Sequence, residues 1–280
     1  MRRMPDGPGR GGGAGSGRPW LQLGCVCCGR LCGFWSVVFV RGRRALSRPL
    51  AAVVLVVLAA AAAAGEPVRI LPLGDSITQG GRAETEYTYR WPLYKMLTDA
   101  GVAFDFIGSQ DKGVRPAAEW PEYKGRAFDM DHEGHYGWTT GAVADKLAAW
   151  AEAWSAPPDI ALVHLGTNDL RSEDYRKSVV APVRRIAAIL RRQNAEVVIL
   201  LGHLNFNQGA ALKVRPLVER LARELHTAKS PVVTVHHYQG WTADPAAKDT
   251  DTLDWAHPNL QGQRKMAEKW FAAMKPFLKE

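Results

Sequence analysis

Ser76 lies in the stretch "LPLGDSITQG" (residues 71–80), where an apolar run gives way to a polar turn with glycines on either side. Gly74 lets the chain turn tightly and expose the hydroxyl. Taken alone, Ser76 could equally cap a following helix. A serine becomes a nucleophile only with a base to take its proton, a carboxylate to orient that base, and donors for the developing oxyanion. Asp254-Trp255-Ala256-His257-Pro258-Asn259 supplies a candidate base and acid. A carboxylate three residues before a histidine in a loop can reach Nδ1, fix the tautomer and leave Nε2 free. Asp249 and Asp251 are alternative acids. In His164-Leu165-Gly166-Thr167-Asn168-Asp169, the Asn168 amide could donate to an oxyanion, whereas an ionised Asp169 only accepts. Gly137, just before Trp138-Thr139-Thr140, could bring a backbone N–H to the ligand. Asp75 reads mainly as an acceptor that fixes its own loop, since adjacent side chains diverge, with a substrate contact as the lesser alternative. His132 and His135 are further possible substrate contacts.

These residues need elements that bring them together. Beyond residue 65, short β-branched runs (68–73, 103–107, 160–165, 197–201, 232–235) alternate with amphipathic segments (89–100, 140–154, 172–193, 208–228, 260–278). Ser172, followed by two acids, reads as a helix start, and Pro157-Pro158 and Ser230-Pro231 as stops. Strict alternation with nearly continuous apolar strands implies a parallel sheet covered on both faces. In such a sheet the ligand crevice lies beyond the carboxyl ends of the strands. Ser76 and Asn168 each follow a strand in that sense, and two long irregular stretches, 108–136 and 238–255, are candidates to shape the same rim.

The remaining composition narrows the context. An apolar share of 46% with 23% charged residues is that of a globular chain. The net charge of +8 is confined to the first 65 residues, which hold nine arginines and a single acid, Asp6. The balanced remainder gives no electrostatic reason to expect a nucleic-acid partner. Arginines 41–48, a 14-residue apolar run at 51–64 and the small residues after it read as a signal peptide over 41–65, cleaved near Ala64. That run falls short of the ~20 residues of a spanning helix, so no stable membrane anchor is expected. Residues 1–40 form an unusual extension before such a signal, and translation is expected to begin downstream of it. All four cysteines (Cys25, Cys27, Cys28, Cys32) lie there, in a spacing unlike paired zinc motifs, so no metal is expected.

The ordered set G-D-S, G before W-T-T, G-T-N-D and D-x-x-H-P-N resembles the four sequence blocks of the SGNH hydrolases, the GDSL-type esterases and lipases. It runs from Arg69 to about Gly262, with no block position substituted. The resemblance implies a flavodoxin-like three-layer α/β/α sandwich over residues 66–280, with a five-stranded parallel sheet of order 2-1-3-4-5. It also implies Ser76 as nucleophile, His257 as base and Asp254 as its acid, with an oxyanion hole of Ser76 N–H, Gly137 N–H and the Asn168 amide. "RILPLGDSITQG", "YRWPLYKMLTDAG", "DFIGSQ", "DHEGHYGWTT" and "HLGTNDL" are similar to carbohydrate esterases of family three, acetylxylan esterase-like enzymes that deacetylate plant polysaccharides. The expectation is a secreted or periplasmic O-deacetylase that needs no cofactor and acts on an acylated carbohydrate or another small ester. Trp91, Trp120, Tyr123, Trp138 and Trp241 are candidates to stack on sugar rings. A lysophospholipase or thioesterase would instead need a long apolar groove, and a non-catalytic glycan-binding module would not need Ser76 or His257. The oligomeric state is not legible.

Overall fold

Five strands, β1 (Val68–Gly74), β2 (Phe104–Phe106), β4 (Ile160–His164), β5 (Val198–Gly202) and β6 (Val232–Val235), pair in parallel in a computed structural model of the chain; all but β2, which is built on two phenylalanines, are rich in β-branched or leucine side chains. The structure describes residues 66–115 and 120–278. The extension, the signal peptide and the four cysteines lie outside the described residues. A two-residue strand, β3 (Glu133–Gly134), pairs with the carboxyl end of β1. The main order is β2-β1-β4-β5-β6, the expected 2-1-3-4-5 once β3 is set aside. The addition of β3 refines the expectation, because a strand of two residues is too short to leave a periodic signal.

Alternation along the strands sorts the core into two layers. Leu71, Leu73, Ala161, Val163, Ile199 and Leu201 face α3 (Thr140–Trp150), α4 (Ala181–Gln193) and α5 (Ala210–Leu225). Ile70, Ile160, Leu162, Val198 and Leu200 face α2 (Arg90–Asp99) and α6 (Leu260–Met274). Both faces are thus covered, as apolar strands require. Each buried Leu or Ile contributes roughly 1.5–3 kcal/mol, so the sheet is a rigid base for the loops at its edge.

The helix expected from Ser172 begins later, with a π-helical turn at Arg176–Val180 that leads into α4. Asp174 receives the Arg176 and Lys177 N–H groups on its Oδ1, while the Ser172 hydroxyl bonds only to the backbone of Asp174. The acid two positions on therefore caps the turn. No described helix is long and apolar enough to cross a membrane.

Candidate active site

Gly74 pairs with Gly134 of β3 on one side and with His164 of β4 on the other. A Cβ at Gly74 would lie 2.2 Å from Thr78 Oγ1 and 2.7 Å from the His164 carbonyl, so only glycine lets the chain fold back here. The turn enters the one-turn helix α1 (Ser76–Gln79), capped by Asp75, whose Oδ1 accepts the Ile77 N–H at 3.0 Å. Ser76, 4% exposed, is the first residue of that helix. The other end is held by Arg90, whose guanidinium donates to the carbonyls of Thr78 (2.9 Å), Gln79 (3.1 Å) and Met130 (2.6 Å). Burial pushes Arg90 down to about 10, so it remains a cation at neutral pH. It ties the serine turn to the long loop that follows β2.

His257 Nε2 lies 3.0 Å from Ser76 Oγ, and its Nδ1 lies 2.9 Å from both carboxylate oxygens of Asp254. With the proton on Nδ1 given to Asp254, Nε2 accepts from the Ser76 hydroxyl. Asp254 Oδ1 also accepts the N–H groups of Ala256 and His257, each at 2.9 Å, and Oδ2 accepts from Arg82 at 2.7 Å. Partial burial would lift this carboxyl, but the backbone donors, the Arg82 guanidinium and the His257 ring outweigh it and hold it well below the usual carboxylate range. Of the alternative acids, Asp249 is exposed. Asp251 is buried and occupied by the Thr242 N–H, the Gln261 amide and the Lys265 ammonium.

Ser76, Gly137 and Asn168 follow the adjacent strand ends of β1, β3 and β4. Gly137 is exposed and has φ 79°, where other residues are strained. One Asn168 amide hydrogen goes to the Trp138 carbonyl at 2.9 Å, leaving the second to donate. Asp169 Oδ2 accepts from the Thr140 N–H (2.9 Å) and hydroxyl (2.7 Å), which pins the loop after β4 to the start of α3. Gly137, Asn168 and Thr167 line a cavity of about 600 Å³, closed on another side by Trp255. A hydroxyl bonded to an imidazole that is itself bonded to a carboxylate is equipped for acyl transfer through serine.

Other expected contacts are placed elsewhere. Asp75 is fully buried, with its Oδ1 on the Ile77 N–H as the cap of the serine turn. Trp91 belongs to the core: 9% exposed, it is stacked on Tyr94 and meets Tyr123 and Phe128 edge-on. Trp120 packs against Tyr87 and Phe128 in the same layer. Trp138 packs its ring on His135 and Trp150. His135 is bonded to Glu133 at 2.6 Å, and His132 is fully buried against the Lys112 carbonyl and the Gly134 N–H. Trp241 lines a second cavity of about 670 Å³ with Asn207, Gln208 and Asp244, and Trp255 borders this one too.

Three residues at the site escaped the sequence reading. Trp255, 61% exposed, sat in view inside the D-x-x-H block. Tyr136 lies parallel to the His257 ring at 5.6 Å, and Arg82 reaches Asp254 across 172 positions. Nothing local marks either one. Among the described residues, His203, Glu219 and His236 are the three ligating side chains that converge, and none of them bonds to Ser76, His257 or Asp254.

Known proteins are similar to this chain in sequence or in structure. A curated multidomain esterase of Ruminococcus flavefaciens is 26% identical over 241 residues, which is 78% of this chain but 30% of that much longer protein. A crystal structure of a carbohydrate esterase family 3 protein from Talaromyces cellulolyticus is 26% identical, with TM-score 0.61 over 75% of this chain and 97% of that one. An acetyl esterase mutant crystallised with acetate ion gives 26% identity and TM-score 0.62 over the same shares. The pattern of the GDSL-like Lipase/Acylhydrolase family matches residues 73–265, from the strand before Ser76 to the helix after His257, and the chain belongs to that family.

Proposed function

We propose that the protein is an exported serine esterase that removes O-acetyl groups from carbohydrate. The observation that carries this reading is the continuous hydrogen-bond path from Ser76 Oγ through His257 to Asp254. Ser76 Oγ attacks the acetyl carbonyl carbon while His257 Nε2 takes the hydroxyl proton, and the oxyanion is met by the Ser76 and Gly137 N–H groups and the Asn168 amide. Collapse of the tetrahedral adduct expels the sugar oxygen, which leaves with the proton from His257. Water, deprotonated by the same imidazole, then releases acetate and restores the serine. Asp254 remains ionised throughout and orients the ring.

Three observations support the acetyl and carbohydrate parts. The relatives include a family 3 carbohydrate esterase and an acetyl esterase. The cavity wall sets Thr139, Thr167, Asn168 and Arg171 beside Leu170 and Trp255, a mixed lining unlike the long apolar groove that a long acyl chain needs. Trp255 offers an exposed ring beside the acid and the base, backed by Phe206 at 6.1 Å. Export rests on the apolar run at 51–64. The test is a substrate panel: acetate release from acetylated xylan and acetylated sugars against p-nitrophenyl esters of rising chain length. Fast release from the sugars and a fall beyond short acyl chains is expected; preference for long chains would overturn it.

A further inference from the structure

We propose that His203, Glu219 and His236 form a binding site for a divalent transition-metal ion of the zinc type, separate from the esterase site. Gly202 of β5 pairs with Val235 of β6, so His203 and His236 are the next residues after the ends of two neighbouring parallel strands. Glu219 comes from α5. His203 Nε2 lies 2.7 Å and His236 Nδ1 3.8 Å from the same oxygen, Glu219 Oε1, and one ligand atom from each of the three lies within 4.8 Å of the others. Tetrahedral zinc, with bonds of about 2.0–2.1 Å, holds its ligand atoms roughly 3.3 Å apart. The observed separations bracket that value, and side-chain shifts on the order of 1 Å would close the set.

Two imidazoles with one carboxylate suit zinc, cobalt, nickel or copper and disfavour calcium and magnesium, which take oxygen ligands. The other Glu219 oxygen already accepts from the Thr234 hydroxyl at 3.3 Å, an orienting partner of the kind that metal ligands need. The His236 and Glu219 side chains are 38% and 27% exposed, so an ion can enter from solvent and keep a water as fourth ligand. Arg223 lies 3.8 Å from Glu219, and Arg215 stacks on Tyr238, whose hydroxyl bonds to His236 Nδ1 at 3.1 Å. The ion must displace that phenol and bind near two cations, both of which weaken the site. Bound there, it would tie edge strand β6 to β5 and α5.

The full chain, untagged, chelator-stripped and with its cysteines alkylated, is titrated with Zn²⁺, Co²⁺, Ca²⁺ and Mg²⁺ by calorimetry and visible absorption. The expected result is one equivalent of Zn²⁺ and a rise in Tm on the order of 5 °C at saturation. Co²⁺ should show the visible bands of four-coordinate geometry, with neither effect from Ca²⁺ or Mg²⁺. Glu219→Gln and the half-exposed His236→Ala, each verified as folded by circular dichroism without metal, should weaken Zn²⁺ binding beyond the roughly 10–100-fold that outer-shell changes cost. Absence of saturable binding in the parent protein, or binding that survives both substitutions, would overturn the site.

Discussion

Asp75 and Asp254 both serve Ser76, one as its neighbour in the chain and the other through His257, yet their carboxyl groups are shifted in opposite directions. Asp75 is fully buried, and burial lifts it to about 6 despite the Ile77 N–H that bonds to it. Asp254 is part-exposed and surrounded by donors, which hold it well below the usual range. The difference separates scaffold from chemistry. A carboxylate that must stabilise an imidazolium stays charged where donors and water support the charge. A carboxylate that only caps a turn can sit in the interior and tolerate protonation.

The largest effect expected belongs to the residue that both acids serve. Ser76→Ala should lower kcat for p-nitrophenyl acetate by on the order of 10⁴–10⁶ while leaving Tm nearly unchanged; retained turnover would remove the nucleophile assignment. Asp254→Asn should cost about 10³–10⁴ in kcat in a folded protein, because the amide cannot hold the imidazolium or its tautomer. A normal rate would put Asp254 on the same footing as Asp75.

Asp75→Asn probes the other half of the comparison. A buried acid whose native pKa is raised binds its proton more tightly folded than unfolded, so stability falls as pH rises from the ordinary aspartate value of 3.8 through about 6. The loss amounts to at most about 3 kcal/mol. Asparagine keeps the capping oxygen and lacks this titration, so its Tm profile from pH 4 to 7 should be flatter. Asp129, also raised to about 6 by burial, contributes with the same sign and remains in the variant. An unchanged profile would break the contrast. The smallest effect concerns Arg82: Arg82→Ala should reduce kcat/KM about 10-fold, discounted for the exposure of the ion pair. Loss of that cation lets Asp254 protonate at higher pH, so the acid limb of the rate profile should move upward, with Arg82→Lys between the two.

Much of this arrangement was legible because it is periodic or local. Five strands follow from apolar runs separated by amphipathic segments, their order from the resemblance to the SGNH hydrolases, and Asp254 reaches His257 within a single loop. Block order did the rest for Ser76, Gly137 and Asn168, since a parallel sheet places successive strand ends on one rim. Aromatic residues were read less well: Trp91 and Trp138 look the same in sequence whether they stack on a sugar or on a neighbouring ring, whereas Trp255 stands exposed beside the base.

By itself, then, the sequence determined the layered α/β frame and the four blocks, because strand alternation and loop spacing are properties of neighbouring residues. Only the tertiary structure decided which groups hold the carboxylates. It brought Arg82 to Asp254, Arg90 to the end of the serine turn, and His203 and His236 to Glu219. Those pairings join residues far apart in the chain, and they form where strand register and helix packing set the distances, which no local pattern encodes.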